Sequence, residues 1–548
     1  MKRDRTALLV VLIALFALVL GLAQAVASGG QGEKAAEGAA AVTPAGTLPI
    51  VKTPTTISAY ATLSPWIQDL RTNDATKELE KRTGIHLDLV VVPGEGANVN
   101  ERRNLMLASG DYPEIFLSGN FVNADILLYG VEQKIFRPIN ALIDKYGVNV
   151  KKAFAYYPSL QANLTAPDGN IYGLPNVNDC YHCTYSQKAW INSGWLQKLG
   201  LKMPTTTDEF AAVLKAFKDR DPNGNGKADE IPLMGSINSW QNPVHNFLLC
   251  AFVYANGSDN IYVKDGKLSF SPATEEWRDG LRYIRQLYRD GLIYPASWTQ
   301  SREQAQQIGD NPDIEILGAG TCGHLGMYMR IEDNPPYDRH KHWEALAPLK
   351  GPNGVQYTAI YQYISGAGFV ITDRCKNPEA AFRLADYLWS EEGTLLMESG
   401  LEGVNWKKAG PNDKGLEGEP ARWTDTRSAA GHGNVYNTDW GQAAPTLRTA
   451  AYRSAWTANQ DLLSVAGYEL RLHQETKKKY APYAPKEWFT PVFLNPKQIE
   501  EAAQMQTNIN DFVNQSTVQF IVGDKDLDKD WDAYIAQLKR LNLDQYIQ

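Results

Sequence analysis

Cysteine is scarce in this chain, with five in 548 residues. An odd number leaves at least one thiol unpaired or joined to another molecule, and five are too few to frame a fold of this length. None precedes Cys180, which excludes a lipid on a mature N-terminal cysteine. Basic residues are not in excess: 54 Lys and Arg stand against 62 Asp and Glu, for a net charge of -8. Without long basic runs the chain lacks the phosphate-binding surface of a nucleic-acid binder. Only one long apolar run is present, which excludes a multi-span membrane channel or transporter. Walker A, H-E-x-x-H and G-x-S-x-G signatures are all missing, and no internal repeat is evident. What is present is globular composition: 43% hydrophobic and 21% charged residues, with a length that allows two to four domains.

The apolar run is N-terminal. Lys2, Arg3 and Arg5 precede an uncharged stretch over residues 7–22, followed by small residues at 23–27. This is the pattern of a secretory signal segment over 1–27, cleaved after Ala25 or Ala27. An uncleaved anchor helix is the alternative, since the run is just long enough to span. Residues 28–49 are rich in Gly and Ala and read as a flexible leader.

From there strands alternate with helices. Residues 57–60, 86–92 and 115–117 read as strands, and 74–82 and 101–109 as helices, an order that implies a parallel sheet with helices on its faces. Thr206-x-x-Glu209 is a capping box, followed by Phe210, Val213, Leu214 and Phe217 at helical spacing. Trp277, Leu281, Ile284 and Leu287 form a second stripe that stops at Gly291. Asn377-Pro378-Glu379 opens a helix carrying Phe382, Ala385 and Trp389, and Trp531, Ile535 and Leu538 mark a last one. These stripes are core. A second α/β series starts near Trp190, after a hairpin-like segment at 168–175, so two lobes are expected.

The most specific local motif is the loop from Asp221 to Pro232. Asp221, Asn223 and Asn225 alternate at loop positions 1, 3 and 5, Gly226 takes position 6, and Lys227 offers its backbone carbonyl. The bidentate Glu expected at position 12 is replaced by Pro232, but Asp229 and Glu230 supply carboxylates. Six oxygen donors with three carboxylates suit Ca²⁺. The alternation at 524–530 has Lys529 where the glycine is needed and reads as a solvated turn, with Asp528 capping the last helix. Cys180-Tyr-His-Cys183 is compatible with a redox pair, half a zinc site or a small disulfide loop. Gly318-Ala-Gly320-Thr-Cys-Gly323 follows an expected strand at 314–317. The chain breaks at 334–340 before a dinucleotide site could form, leaving a close-packed loop beside a cleft or a structural turn.

The chain carries 14 Trp and 27 Tyr. Tyr60, Trp66, Trp240, Trp298, Tyr363 and Trp406 fall near expected strand ends or loops rich in Asn, Ser and Gly. Flat rings beside amide groups suit a sugar, whose C–H faces stack and whose hydroxyls need donors and acceptors. Asn120 and the backbone at 318–323 are placed to meet hydroxyls, and Tyr185 and Tyr363 lie on expected passages between lobes.

Several spaced segments agree in order with one family. They are Trp190 to Leu201, Pro204 to Phe210, Asp221 to Pro232, Thr165 to Tyr172, Met106 to Ile115, Lys376 to Ala381 and Glu402 to Trp406. Together they resemble family 1 extracellular solute-binding proteins of ABC importers, in particular the calcium-containing alginate-oligosaccharide-binding proteins. The resemblance implies an α/β, two-lobed periplasmic-binding-protein (venus-flytrap) fold with an oligosaccharide held between the lobes. It makes the site of Asp221, Asn223, Asn225, Lys227, Asp229 and Glu230 a structural Ca²⁺ site. The partners it implies are the permease subunits of an ABC transporter, the location periplasmic or extracellular, and the protein a non-enzymatic monomer that binds no nucleic acid. The expected lobes are 50–177 plus 368–430, and 178–367 plus 431–548. The alternative is a secreted glycoside hydrolase or lyase using the same cleft.

Overall fold

The computed structural model describes residues 41–94, 97–237, 239–361, 364–427, 435–487, 489 and 496–548. The expected signal segment, residues 28–40 of the expected leader, and Tyr363 lie outside the described residues.

The described strands are β1 (Thr55–Leu63), β2 (Ile85–Pro93), β3 (Ile115–Phe116), β4 (Gly173–Asn178), β5 (Ala189–Asn192), β6 (Ile261–Lys264), β7 (Lys267–Phe270), β8 (Ala319–Thr321), β9 (Trp343–Leu346), β10 (Ile364–Ile371), β11 (Trp406–Lys408), β12 (Trp423–Asp425) and β13 (Leu447–Arg448). Six of them form the sheet of the first lobe, in the order β13-β4-β10-β3-β1-β2. At its edge, β2 buries Ile85, Leu87 and Leu89 and exposes His86 and Asp88, the period of a strand covered on one face. The helix Asp74–Thr83 connects β1 to β2. The Asn73 side chain accepts from the Ala75 N–H at its start, and Gly84 closes it at φ 76°. The expected parallel order is met where β1 runs parallel to β2 and β3. It fails at β10, which is antiparallel to β3 and β4. There the chain re-enters the sheet from the second lobe by a crossing segment, so no helical crossover sets a parallel direction.

The second lobe has a small antiparallel sheet, β8-β5-β9. All four residues of β5 are buried. The helix Thr207–Asp219 joins the same core, with the capping box formed as expected. Phe210, Val213, Leu214 and Phe217 are buried there, worth roughly 1.5–3 kcal/mol each for side chains of this size. Trp277, Leu281, Ile284 and Leu287 join the same core from the helix Glu275–Arg289, as do Trp531 and Leu538 from Trp531–Arg540.

Several expectations change. The strand expected at 314–317 is β8, shifted into the glycine motif itself. The last helix is not capped by Asp528, whose carboxylate accepts from Arg282 at 2.5 Å. Asp526 instead accepts from the N–H groups of Asp528 and Lys529. Residues 42–51 do not belong to a free leader. Val42 bridges to Val51, and the buried Arg383 guanidinium donates to the carbonyls of Thr43 and Thr47. The lobe boundary expected at 430–431 lies outside the described residues; beyond it, Trp440 and Ala444 lie in the first core and β13 in its sheet. Trp406, Trp423 and Tyr452 form a small separate core.

The first passage between the cores runs from β4 to β5. Cys180 and Cys183 are joined there as a disulfide, which resolves the C-x-x-C motif. The buried Lys188 ammonium donates to the carbonyls of His182 and Tyr185, at 2.7 and 2.5 Å. Cys250, Cys322 and Cys375 are free and buried. No helix of the described residues is long and apolar enough to cross a membrane.

Candidate functional site

The loop after the helix Thr207–Asp219 is built around Asp221, which adopts φ 43°. One Asp221 oxygen accepts from the N–H groups of Gly224 and Asn225, and the other from Gly226. Gly224 and Gly226 sit at φ 80° and 73°, where a side chain is strained. The Asn223 and Asn225 side-chain amides donate to the two oxygens of Asp229 at 2.9 and 2.8 Å. These bonds hold the Asp229 carboxyl below the usual carboxylate range. Glu230 is different: both of its carboxylate oxygens are buried with no hydrogen-bond partner among the described residues. Burial raises its pKa, and the Asp221 and Asp229 charges add to the effect. An orphaned, buried carboxylate beside two others fits a hard cation, as does a donor set made of oxygen alone. The three carboxylates are not gathered as tightly as a finished cage. Among the described residues, the only group of three His, Cys, Asp or Glu ligand atoms within 4.8 Å is Cys180, His182 and Cys183, whose sulfurs are already bonded. Asp229 and Glu230 also border a cavity of about 330 Å³ with Pro232, Gly291 and Tyr294.

A second concentration of orphaned polar atoms lies in the second lobe, where it meets the first. Gly235 is held by Ser297, whose hydroxyl accepts from its N–H at 3.1 Å, and Asn242 by the Thr321 hydroxyl, which donates to its carbonyl at 2.7 Å. The Asn242 side chain is 0% exposed, yet neither its oxygen nor its nitrogen has a partner among the described residues. The same holds for Gln187 Nε2, His245 Nδ1, Trp298 Nε1, and the Ser186 and Ser239 hydroxyls. His245 stacks on Trp298 with ring centroids 5.8 Å apart. The Tyr361 hydroxyl donates to Gln187 Oε1 at 2.7 Å and also meets the Gln241 side chain. Burial depresses the His245 pKa to about 4, so its imidazole is neutral at pH 7. Beside the cluster, Arg302 of the second lobe lies 5.5 Å above the Trp66 ring of the first.

The eight aromatic and amide residues expected to line a cleft separate into groups. Trp66 lies under Arg302 of the second lobe, and Trp298 is buried in the second core against His245. Trp240 is 44% exposed, with its indole on Gly323: a Cβ at Gly323 would stand 2.1 Å from Trp240 Cζ3. The glycine motif is therefore a packing device. Its other glycines meet Phe217 and Tyr328 at similarly short range. Asn120 is exposed in the first lobe at φ 49°, its carbonyl accepting from Arg103 at 3.1 Å. Tyr185 is half-buried on the first passage, against Tyr181. Tyr60 is a correction: it is fully buried against Phe116 on β1, a strand inside the sheet between β3 and β2 whose neighbours Ala59 and Ala61 are buried too, and its hydroxyl has no partner among the described residues. Trp406 is another. Its indole N–H donates to the Gly400 carbonyl at 3.1 Å, and it borders a separate cavity with Arg82 and Glu391. Gln187, Asn242, His245 and Tyr361 carry no motif signal. The one available hint is the density of Asn, Gln and Ser at 236–246.

Two α/β lobes, with buried polar atoms lacking partners in the second beside the Arg302–Trp66 contact, have the build of a two-lobed solute-binding protein. The family described as bacterial extracellular solute-binding protein matches residues 58–395, and this chain belongs to it. Among its relatives is the fructooligosaccharide ABC transporter substrate-binding protein FusA of Streptococcus pneumoniae, 28% identical over 513 residues, which span 90% of this chain and 88% of FusA. The solved structure of a FusA EF-hand mutant in complex with fructo-nystose matches at TM-score 0.75 and 26% identity, covering 90% of this chain and 97% of that one. The alginate-binding protein AlgQ2, solved without calcium ion, shares the fold at TM-score 0.69 and 24% identity over 91% of this chain and 97% of its own.

Proposed function

We propose that this protein captures an oligosaccharide between its lobes and delivers it to the permease of an ABC importer. It is exported by a cleaved signal segment and acts as a monomer in the periplasm or outside the cell. The observation that carries this reading is the cluster of Gln187, Asn242, His245 and Trp298, whose buried polar atoms lack partners beside aromatic rings. Each such atom costs about 1–3 kcal/mol if left unpaired. The lobes therefore gain by closing on something that supplies hydroxyls, and the free protein gains by letting water in. Trp240 offers the outer face of its indole to a sugar ring, Trp66 and Trp298 extend the aromatic wall, and Asn120 and Tyr185 approach from the first lobe and the passage. The FusA relative, named for fructooligosaccharides, supports the same ligand class.

The same proposal includes a structural Ca²⁺ held by Asp221, Asn223, Asn225, the Lys227 carbonyl, Asp229 and Glu230. The ion would neutralise three carboxylates and fix the loop after the helix Thr207–Asp219. The orphaned Glu230 carboxylate supports it.

The test is a thermal-shift and calorimetric screen of neutral and acidic oligosaccharides, followed by recovery of the sugar. Binding by at least one oligosaccharide, returned intact, is the expected result. Stabilisation by peptides or amino acids and by no sugar would refute the proposal, and cleavage of the bound sugar would make the protein an enzyme.

A further inference from the structure

We infer that Arg103 positions the first lobe's share of the ligand site, by holding the loop at 117–125 in its binding geometry before any sugar arrives; the inference rests on the oligosaccharide reading above. The loop follows β3 at the carboxyl edge of the sheet, where open α/β sheets gather their ligands. It also lies where the lobes meet. The turn Asn123–Asp125 comes within 8 Å, Cα to Cα, of the helix Pro496–Val522, whose Ile509, Val513 and Phe520 belong to the second core. Asn120 and Val122 are exposed within the loop, and Asn120 is held at φ 49°. That left-handed backbone is unfavourable for any side chain, though least so for Asn and Asp.

One guanidinium spans this loop. Arg103, on the helix Ala97–Ser109, is 4% exposed. Its Nη1 donates to the carbonyls of Gly119 and Asn120, at 2.6 and 3.1 Å, which flank the strained residue. Its Nη2 donates to Asp125 Oδ2 at 3.1 Å, and that oxygen also accepts from the Val122 N–H. Nε and Nη2 both donate to Asn104 Oδ1, and the guanidinium lies 4.5 Å from the centre of the Phe121 ring. All five N–H groups of an arginine are thereby engaged within the protein, so Arg103 acts on a sugar through the loop. The frame anchors the near end: Thr62 N–H donates to the Ser118 hydroxyl, and the Gly119 and Phe121 N–H groups donate to Gly368 and Ala367 carbonyls of β10. Arg103 joins that end to Asp125. A planar fork reaches both at once, which the point charge of a lysine does not.

The experiment uses Arg103→Lys and Asp125→Asn in the whole protein with calcium at pH 7. Lysine keeps the charge beside Asp125 and loses the fork; asparagine keeps an acceptor for the Val122 N–H and loses the ion pair. In ligand-free wild type, amide hydrogen exchange over 117–125 is expected to be slow and little changed by sugar, and about tenfold faster in both variants. Calorimetry uses whichever of kestose, galactotriose and trigalacturonate binds the wild type. Both variants are expected to bind it at least about fivefold more weakly at unchanged stoichiometry, because the loop must be ordered on binding. A merely structural role would lower the melting temperature and the stoichiometry and leave the affinity of the folded molecules as it was. That result, or wild-type exchange in either folded variant, overturns the inference and leaves the oligosaccharide reading standing. If neither variant folds, the wild type decides: a loop already protected without sugar supports the inference, and one that exchanges freely until sugar binds overturns it. If none of the sugars binds the wild type, the oligosaccharide reading fails and the inference with it.

Discussion

Replacing Gly323 by alanine separates the stability of the second lobe from its capacity to stack a sugar. The added Cβ would lie 2.1 Å from Trp240 Cζ3 and 2.7 Å from Cε3 and Cη2. Ordinary carbon contact is roughly 3.5 Å, so the indole must retreat by about 1.4 Å or swing away. It has room to do so, because Trp240 is 44% exposed, with Gly323 under its indole and the His324 ring 6.2 Å away. Folding should be nearly unaffected: an alanine at a position with ordinary backbone geometry gains about 0.4–1 kcal/mol through the unfolded state, which offsets the lost contact. Ligand affinity should suffer, since a displaced platform forfeits about 0.5–1.5 kcal/mol of stacking, or a factor of roughly 2 to 12. Calorimetry with the sugar found in the screen, together with the melting temperature, reads both effects. Trp240→Ala should lose a similar amount, and the double variant little more than either, because both remove one interaction. Gly320→Ala provides the contrast. Its Cβ would meet Tyr328 Cε2 at 2.4 Å inside the core, so it should lower the melting temperature. If Gly323→Ala binds as tightly as the wild type while Trp240→Ala is weakened, the glycine does not set the platform and the reasoning fails.

Chelator should lower the melting temperature and added Ca²⁺ restore it, and Asp221→Ala should melt low in either condition; identical melting with and without chelator would remove the cation from the account. His245 sets a pH dependence. Its folded pKa, about 4, lies below the ordinary histidine value of 6.5, so the unfolded chain takes up the extra proton as pH falls from roughly 6.5 to 4 and stability declines over that window. Denaturation midpoints measured from pH 7 to 4 should fall less steeply in His245→Gln, and equal slopes would place the acid sensitivity elsewhere.

How legible these features are in the sequence depends on how local they are. Phe210, Val213, Leu214 and Phe217 lie on one helix, so spacing alone finds their core face, as the structure bears out. The cation loop is equally local, its candidate ligands falling within ten residues. The lobe junction is not. Gln187, Asn242, His245, Trp298 and Tyr361 come from four segments, and only the packed fold brings them together. The aromatic residues show why local composition misleads. Trp240 and Trp406 both stand in polar surroundings, yet one rests on a glycine at the surface and the other is tied to the Gly400 carbonyl in a small core. Polar neighbours in sequence report the loop, not which way the ring turns. The place of β13 in the first sheet is hidden for a similar reason: it is two residues long, too short to announce a strand.

The contact between Trp66 and Arg302 makes no demand on a ligand. It joins a ring of one lobe to a guanidinium of the other, so in a molecule that opens and shuts it is present only when shut. A contact of that kind lowers the energy of the shut state whether or not a sugar is inside. It raises the fraction of empty protein that is shut and lengthens the residence time of a sugar once captured. Capture and release are then adjustable through Arg302 as well as through the groups that hold the sugar. Substitution at Arg302 can trade slow escape for fast turnover while the polar cluster stays as it is.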